Sequence, residues 1–310
     1  MRLRHPSLLI LALLTLVGTA CQSTGPPEGT EVVLTDATGR SVPLGLPVER
    51  VLSLAPNLTE IVYAVGGGDR LAATSQADNF PPEAGDLPQF STFPLDHERI
   101  VELRPGLLLA TDEINSPTDA DALAEVGIPT YFFSFSNIAS IPAAMRLAGE
   151  LLGVDGEPAA AVFEATIDSV RAAVAGRSKP RTLLLIGDDV LYAFGRESFA
   201  SEAVRAAGGD NLTDAFEGRA AVLSDEFVLE AEPNVIIVLT DDADYTSEQL
   251  LAKHPAWKIV PAVRNGRVHP IHPDLLSRPG PRLTLGLAQL ASLLHPDLLP
   301  IRLPDSTEAE

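Results

Sequence analysis

The sequence predicts an α/β protein of two Rossmann-like lobes with largely parallel sheets, joined by one long interdomain helix. Three observations carry that prediction. Apolar, β-rich runs alternate with helix-patterned segments along nearly the whole chain, as parallel strands with crossover helices require. One pattern is also written twice: residues 96–109 read DHERIVELRPGLLL and residues 224–237 read SDEFVLEAEPNVII. Each has a helix-capping residue, Glu two places on, an apolar pair, then Pro before an apolar run. At one constant offset Asp96 falls on Ser224, Glu98 on Glu226, Glu102 on Glu230 and Pro105 on Pro233, so two lobes built alike are expected. Between the copies, residues 157–176 read EPAAAVFEATIDSVRAAVAG. Pro158 suits a first helical position, Gly176 a stop, and Phe163, Ile167, Val170 and Val174 recur at helical spacing with the other face polar. At ~1.5 Å per residue this helix spans roughly 28 Å, enough to bridge two lobes.

Taken in order, residues 1–20 stand apart. Arg2 and Arg4 precede an apolar run over residues 8–17, and small residues lead to Cys21, which reads as a secretory signal peptide. The run is too short to span a bilayer. Gly18-Thr19-Ala20 before Cys21 points to a lipidated N-terminus, with Gly18 where such signals usually have Leu; the competing reading is ordinary cleavage after Ala20 and an unmodified thiol. Cys21 is the single cysteine, so no internal disulfide is expected even in a compartment that permits them. Residues 21–30, rich in Gly, Pro and polar side chains, suit a flexible tether.

The first lobe occupies residues 31–152, where ERVLSLAP, NLTEIVYAVGGG, RLAATS, HERIVELRP, GLLLAT, PTDADALAEVG, IPTYFFSF and SIPAAMRLAGELLG alternate strand and helix patterns. In NLTE, Asn57 is placed to cap a helix while Glu60 reaches back, a capping box. That loop also lies at the carboxyl edge of a parallel sheet, where clefts bind ligands. The linking helix with its flanks takes residues 153–178. Alternation restarts over 179–300 with RTLLLIG, VLYAFG, ESFASEAVRAAGG, SDEFVLEAEP, NVIIVLT, SEQLLAKHP, GRVHPIHP and a final helix near PRLTLGLAQLASLL, and 301–310 form a tail.

The chain carries 22 Lys and Arg against 42 Asp and Glu; losing residues 1–20 removes two Arg and no acid, taking the formal net charge from -20 to -22. Such acidity excludes nucleic acid as a partner and says little about small ligands. Enzyme signals are missing: there is no G-x-S-x-G elbow, no P-loop and no G-x-G-x-x-G, and VGGGDR reads as a helix stop. The reading is therefore a non-enzyme without resident cofactor or metal. His269 and His272, in VHPIHP, sit three apart on an extended segment and point to opposite faces, unlike helical ligand pairs. His97 reads as a solvated first-turn residue. Glu98 and Glu226 occupy first helical turns, where the helix dipole alone explains an acid. The repeat adds a second reading, since two matched exposed acids suit a two-fold partner bearing paired arginines. Among aromatics, the YFFSF run reads as core, and Phe93 and Tyr192 lie in loop-like contexts that suit a pocket. Arg278 and Arg282, in DLLSRPGPR, are placed either to clamp an anionic or amide-rich ligand or to sit in solvent.

In that order, RVLSLAPNLTEIVYAVGGGDRL, DNFPPEA, HERIVELRPGLLLA, LAEVGIPTYFF, GRESFASEAVRAAGGDNL and SDEFVLEAEPNVIIV resemble the bacterial substrate-binding proteins of cobalamin, haem and iron-siderophore ABC transporters, over nearly the whole mature chain. The resemblance implies the helical-backbone metal-receptor fold, a ligand held between the lobes, and two glutamates docking onto arginines of a dimeric permease that works with ATPase subunits. Those glutamates fall on Glu98 and Glu226. Within the group the chain is most similar to the cobalamin binders. STFPLDHERIVELRP follows a pattern in which an aromatic packs on the corrin, here Phe93 in place of Trp. Tyr192, just before FGRES, matches another aromatic contact. HPDLLSRPGPR carries Asp274 and Arg278 where that pattern has an Asp and an Arg facing the ligand. The chain departs from it where GRAAVLSDE replaces a Trp-Pro segment before the second docking glutamate, and Trp257 lies elsewhere. What the resemblance implies is an exported receptor of the envelope or periplasm, lipid-anchored at Cys21. It would carry cobalamin or another metal-centred chelate to its permease. The alternatives are the same role for haem or a ferric siderophore, and a two-lobed envelope metal chelatase.

Overall fold

A strand covered on both faces is written as a continuous apolar run. LLLAT at 107–111 and VIIVL at 235–239 are such runs, buried at every position, and each forms an interior strand of one of two sheets. A computed structural model of the protein describes residues 29–301, so the signal peptide, Cys21 and nearly all of the tether lie outside the described residues.

An antiparallel hairpin comes first, β1 (Thr30–Thr35) and β2 (Ser41–Leu46). It begins one residue inside the segment read as tether, because Thr30 already pairs with Leu46. Alternate residues of β2, Val42, Leu44 and Leu46, are buried in the core. The first lobe continues with β3 (Val51–Ser53), α1 (Pro56–Ala64), β4 (Leu71–Ser75), β5 (Gln89–Phe90), α2 (His97–Leu103), β6 (Leu107–Thr111), α3 (Pro117–Glu125), β7 (Thr130–Phe133) and α4 (Ser140–Leu152). Its five-stranded sheet has the order β5-β4-β3-β6-β7, with every neighbouring pair parallel. The linking helix is α5 (Glu157–Val174).

The second lobe comprises β8 (Arg181–Leu185), β9 (Tyr192–Phe194), α6 (Phe199–Ala206), β10 (Asp210–Asn211), β11 (Ala220–Val222), α7 (Asp225–Ala231), β12 (Val235–Leu239), α8 (Ser247–Lys253), α9 (Pro261–Arg264), β13 (Val268–Ile271), α10 (Pro273–Leu276) and α11 (Leu283–Leu294). Its sheet runs β11-β9-β8-β12-β13, with β10 beside β8. The strands β8, β12 and β13 are parallel, whereas β9 and β11 are antiparallel to their neighbours. Residues 186–191 alone join β8 to β9, too few for a crossover, so that pair closes as a hairpin.

α5 buries Phe163, Ile167, Val170 and Val174. They belong to one apolar cluster that includes Val51 and Leu109 of the first lobe and Ile237 and Leu287 of the second, so the lobes share a continuous core through the helix. Ile301, read from sequence as the first tail residue, also packs against this cluster.

The pattern written twice is one device used twice. α2 is capped by Asp96, which accepts from the Arg99 N–H at 3.0 Å, and α7 by Ser224, which accepts from the Phe227 N–H at 3.2 Å. Each helix ends in a left-handed residue, Arg104 with φ 48° and Glu232 with φ 43°, the two non-glycine residues of positive φ among the described residues. An arginine closes each carboxyl end: Arg50 Nε donates to Leu103 O at 2.8 Å, and Arg181 donates to Ala231 O at 3.0 and 2.5 Å. Pro105 and Pro233 then stop both helices.

Candidate functional site

All strands of a parallel sheet end on one edge, and the loops there form the binding crevice. In this molecule the carboxyl edges of the two sheets are bonded to each other. Asn57 and Glu60 come from the turn and helix after β3, and Asn79 from the loop after β4. Asp274, Arg278 and Arg282 follow β13. Asn57 Nδ2 donates to Pro279 O at 3.3 Å, Asn79 Nδ2 to Asp274 at 2.9 Å, and Arg278 Nη1 to Asn79 Oδ1 at 2.7 Å. Arg282 grips Glu60 with Nε at 3.0 Å and Nη2 at 2.6 Å. A second bridge uses the loop after β6: Arg219 donates to Asp112 and Glu113 at 3.2 to 3.3 Å and to Ser134 Oγ at 3.1 Å.

The capping box read at NLTE is absent. Pro56 opens α1, Ala55 is the cap and makes no side-chain cap bond, which leaves Asn57 and Glu60 free to reach the other lobe. Glu60 is 2% exposed. Burial pushes its carboxyl up, opposed by the hydrogen bond and charge of Arg282 and by the charge of Arg278. Burial also acts to raise Asp274, but the Asn79 amide and the charges of Arg278 and Arg282 outweigh it and hold that carboxyl below the usual range. Glu113 is pushed up to about 7, chiefly by burial and by neighbouring Asp112, against the Phe135 N–H that it accepts at 2.8 Å. The Arg282 guanidinium lies 4.4 Å over the Phe80 ring, a cation–π contact.

Large apolar side chains that stay exposed collect around the same edges. Phe80, Phe93 and Ile114 follow β4, β5 and β6, while Ile186, Val190, Tyr192 and Val222 surround the β8–β9–β11 end of the second sheet. Phe93 is 94% exposed and Tyr192 48%, with Tyr192 paired to Val222 across β9 and β11. Grouped exposed apolar surface marks an interaction site. Of the sequence candidates, then, Asp274 and Arg278 are brought together, at 2.9 Å, inside the polar bridge. Phe93 and Tyr192 stand apart from it as exposed aromatics, one on each lobe. Asn79, Asp112, Glu113 and Arg219 were not singled out from sequence, because no local motif marks them.

Glu98 and Glu226 are exposed in the first turns of α2 and α7, and neither has a hydrogen bond or ion pair among the described residues. His272 caps α10 by accepting from the Asp274 N–H at 3.3 Å, with Nε2 3.2 Å from Asp241. Trp257 is fully buried in the second lobe. A cavity of about 470 Å³ opens away from the cleft, at the carboxyl end of α5 beside Arg171, Arg177 and Arg205. There the arginines are paired with Glu202, Asp297 and Asp214, and Arg171 and Arg205 answer the dipoles of the helix ends they occupy.

Comparison with known proteins agrees with the two-lobed α/β fold. A family model described as periplasmic binding protein matches residues 51–275. A vitamin B12-binding protein of Pectobacterium carotovorum is 30% identical over 251 residues, which cover 79% of this chain and 88% of that one. The solved periplasmic vitamin B12 binding protein of Vibrio cholerae superposes with a TM-score of 0.70 at 27% identity, covering 80% of this chain and 97% of that one. A periplasmic heme-binding protein from Roseiflexus sp. RS-1, in apo form, gives 0.71 at 28% identity, covering 80% and 98%. The matched segment runs from β3 through α5 into α10, taking in both sheets and the helix between them, and the chain belongs to the periplasmic binding protein family.

Proposed function

We propose that this chain is the substrate-binding protein of an ABC importer, exported and anchored by lipid at Cys21, which holds a corrinoid between its lobes and delivers it to a two-fold permease through Glu98 and Glu226. The observation that supports the ligand class is the charge of the cleft. Its polar bridges set Glu60, Asp112, Glu113 and Asp274 against Arg219, Arg278 and Arg282, and all three guanidiniums are already paired with protein carboxylates. Haem, with two propionates, meets no unpaired guanidinium in these bridges. A corrinoid has a broad apolar ring and a rim of carboxamides. It suits exposed Phe93 and Tyr192 together with a polar wall of Asn79, Asp274 and Arg278. The vitamin B12-binding relatives favour the same ligand. The heme-binding neighbour makes haem the comparison that matters.

The test is calorimetric and optical titration of the purified mature chain with cyanocobalamin, haemin and a ferric hydroxamate siderophore. Binding of cyanocobalamin is expected, weakened by about 0.5 to 1.5 kcal/mol in each of Phe93→Ala and Tyr192→Ala through loss of an aromatic contact. A haemin spectral shift with no heat from cyanocobalamin would overturn the corrinoid. For the anchor, palmitate labelling is expected in the wild type and absent from Cys21→Ser; an unlabelled wild type removes it from the reading.

A further inference from the structure

His254 follows the last turn of α8 and is buried in the second lobe, its ring stacked on Trp257 at 4.4 Å between centroids. Both ring nitrogens face acceptors. Nδ1 lies 2.8 Å from Asp225 Oδ1, and Nε2 lies 2.8 Å from the backbone oxygen of Asp188. A carbonyl oxygen has no proton to give, and neither has an ionised carboxylate. Neutral imidazole carries one N–H and satisfies one of the two, whereas imidazolium satisfies both.

The two acceptors belong to different working parts of the molecule. Asp225 opens α7 and immediately precedes Glu226. Asp188 lies in the loop between β8 and β9, flanked by exposed Ile186 and Val190 and leading to Tyr192. The Asp188 carboxylate is itself held by the Tyr245 hydroxyl and by Lys253 Nζ, so the loop is fixed to the same elements from which His254 projects. The first lobe carries a related pair with its members exchanged: His97, at the position of α2 that matches Asp225, faces Asp119 of α3 at 3.3 Å. That ring has no second acceptor within hydrogen-bond distance among the described residues, so the link to a cleft loop exists on the second lobe.

We propose that His254, in its doubly protonated form, is a positioning residue that ties the cleft loop at Asp188 to the docking helix α7, so that a change at the cleft is felt at Glu226. The charged groups facing the ring or its partners are Asp225 on α7, Asp188 and Asp189 on the loop, and Lys253 on α8; the Lys253 ammonium sits on the Asp188 and Asp189 carboxylates. When the ring loses a proton one of its two bonds is lost, so the tie loosens as pH rises. The inference rests on the docking reading for the role of Glu226 and on nothing about which ligand is bound.

The experiment uses the free, full mature chain. Imidazole 15N spectra across a pH series report the protonation of each ring nitrogen, and amide hydrogen exchange reports residues 186–191 and the first turn of α7. Two protonated nitrogens on His254 are the expected signature of the tied state. As the ring deprotonates, exchange in both segments, corrected for its intrinsic pH dependence, should rise severalfold and in step. His254→Gln should remove that step while exchange in β12 stays slow, which shows that the lobe remains folded. Should His254→Gln unfold the lobe, Asp225→Ala serves, since it removes the acceptor of Nδ1 and its side chain is 48% exposed; there the two segments should no longer respond together. A ring with one protonated nitrogen throughout, or segments that respond independently in the wild type, overturns the proposal. Permease takes no part in this measurement, so failure of docking by Glu226 variants would sink the docking reading and leave the tie standing.

Discussion

Glu113 shows what a single carboxyl owes to its surroundings. It sits beside Asp112, accepts the Phe135 N–H and the Thr111 hydroxyl, and faces Arg219 across the lobes, yet burial and Asp112 win and raise it to about 7. A folded-state value above the unfolded one gives stability that is full below about pH 4.5 and is lost as pH climbs through about 7. The unfolding free energy should therefore fall across that window, and Glu113→Gln, which cannot ionise, should flatten the fall. Urea denaturation at pH 4.5 to 8 checks this, and an unchanged slope in the variant would assign the titration to other groups. None of this was legible in the sequence, where Asp112-Glu113 is an ordinary acidic loop. Glu60 was misread for the same reason. Its spacing from Asn57 imitates a capping box, while its real partner, Arg282, lies 222 residues away. Phe93 was legible as a loop aromatic; Tyr192, read in a loop-like context, instead opens β9. Arg278 was legible from DLLSRPGPR, and Asp274 through family resemblance alone.

The paired helices α2 and α7 were the most legible elements, because cap, acid, apolar pair and proline all recur in order. The left-handed ends at Arg104 and Glu232 were not, since neither residue type signals that conformation; it costs roughly 1 to 2 kcal/mol outside glycine. α2 and α7 share a backbone plan and differ in charge. DHERIVELR includes Arg99 and Arg104, whereas SDEFVLEAE carries Asp225, Glu226, Glu230 and Glu232 and no base. Docking of both lobes onto one two-fold permease should therefore draw more of its salt sensitivity from α7. Glu98→Gln and Glu226→Gln are each expected to weaken binding to reconstituted permease, by about 2 to 5 kcal/mol where the broken pair is desolvated, and to leave ligand affinity untouched. Raising ionic strength should weaken docking of Glu98→Gln more than docking of Glu226→Gln. A double variant that docks normally would return both residues to the helix dipole as their whole explanation.

At the scale of the whole molecule, alternating strand and helix patterns and the apolar face of α5 made two joined lobes readable. Which loops meet across the cleft was not readable, because that follows from how both lobes pack on α5. The two cross-lobe bridges differ in burial, and this decides what each contributes. The Glu60 side chain is 1% exposed and Arg282 14%, whereas Arg219 is 42% exposed. Arg282→Ala removes both hydrogen bonds of a buried carboxylate and leaves it only the Arg278 charge at 3.6 Å, so a loss of about 3 kcal/mol is expected near pH 8. Arg219→Ala breaks a solvated contact and should cost less than about 1 kcal/mol. The pH dependence separates this from simple loss of packing. Without Arg282 the Glu60 carboxyl rises further, takes up a proton more readily, and ceases to be a buried charge, so the Arg282→Ala deficit should shrink as pH falls from about 8 to 5. Urea unfolding of both variants at the two pH values measures it. A large deficit that does not change with pH would mean that Arg282 holds the lobes through its packing on Phe80 and not through its charge.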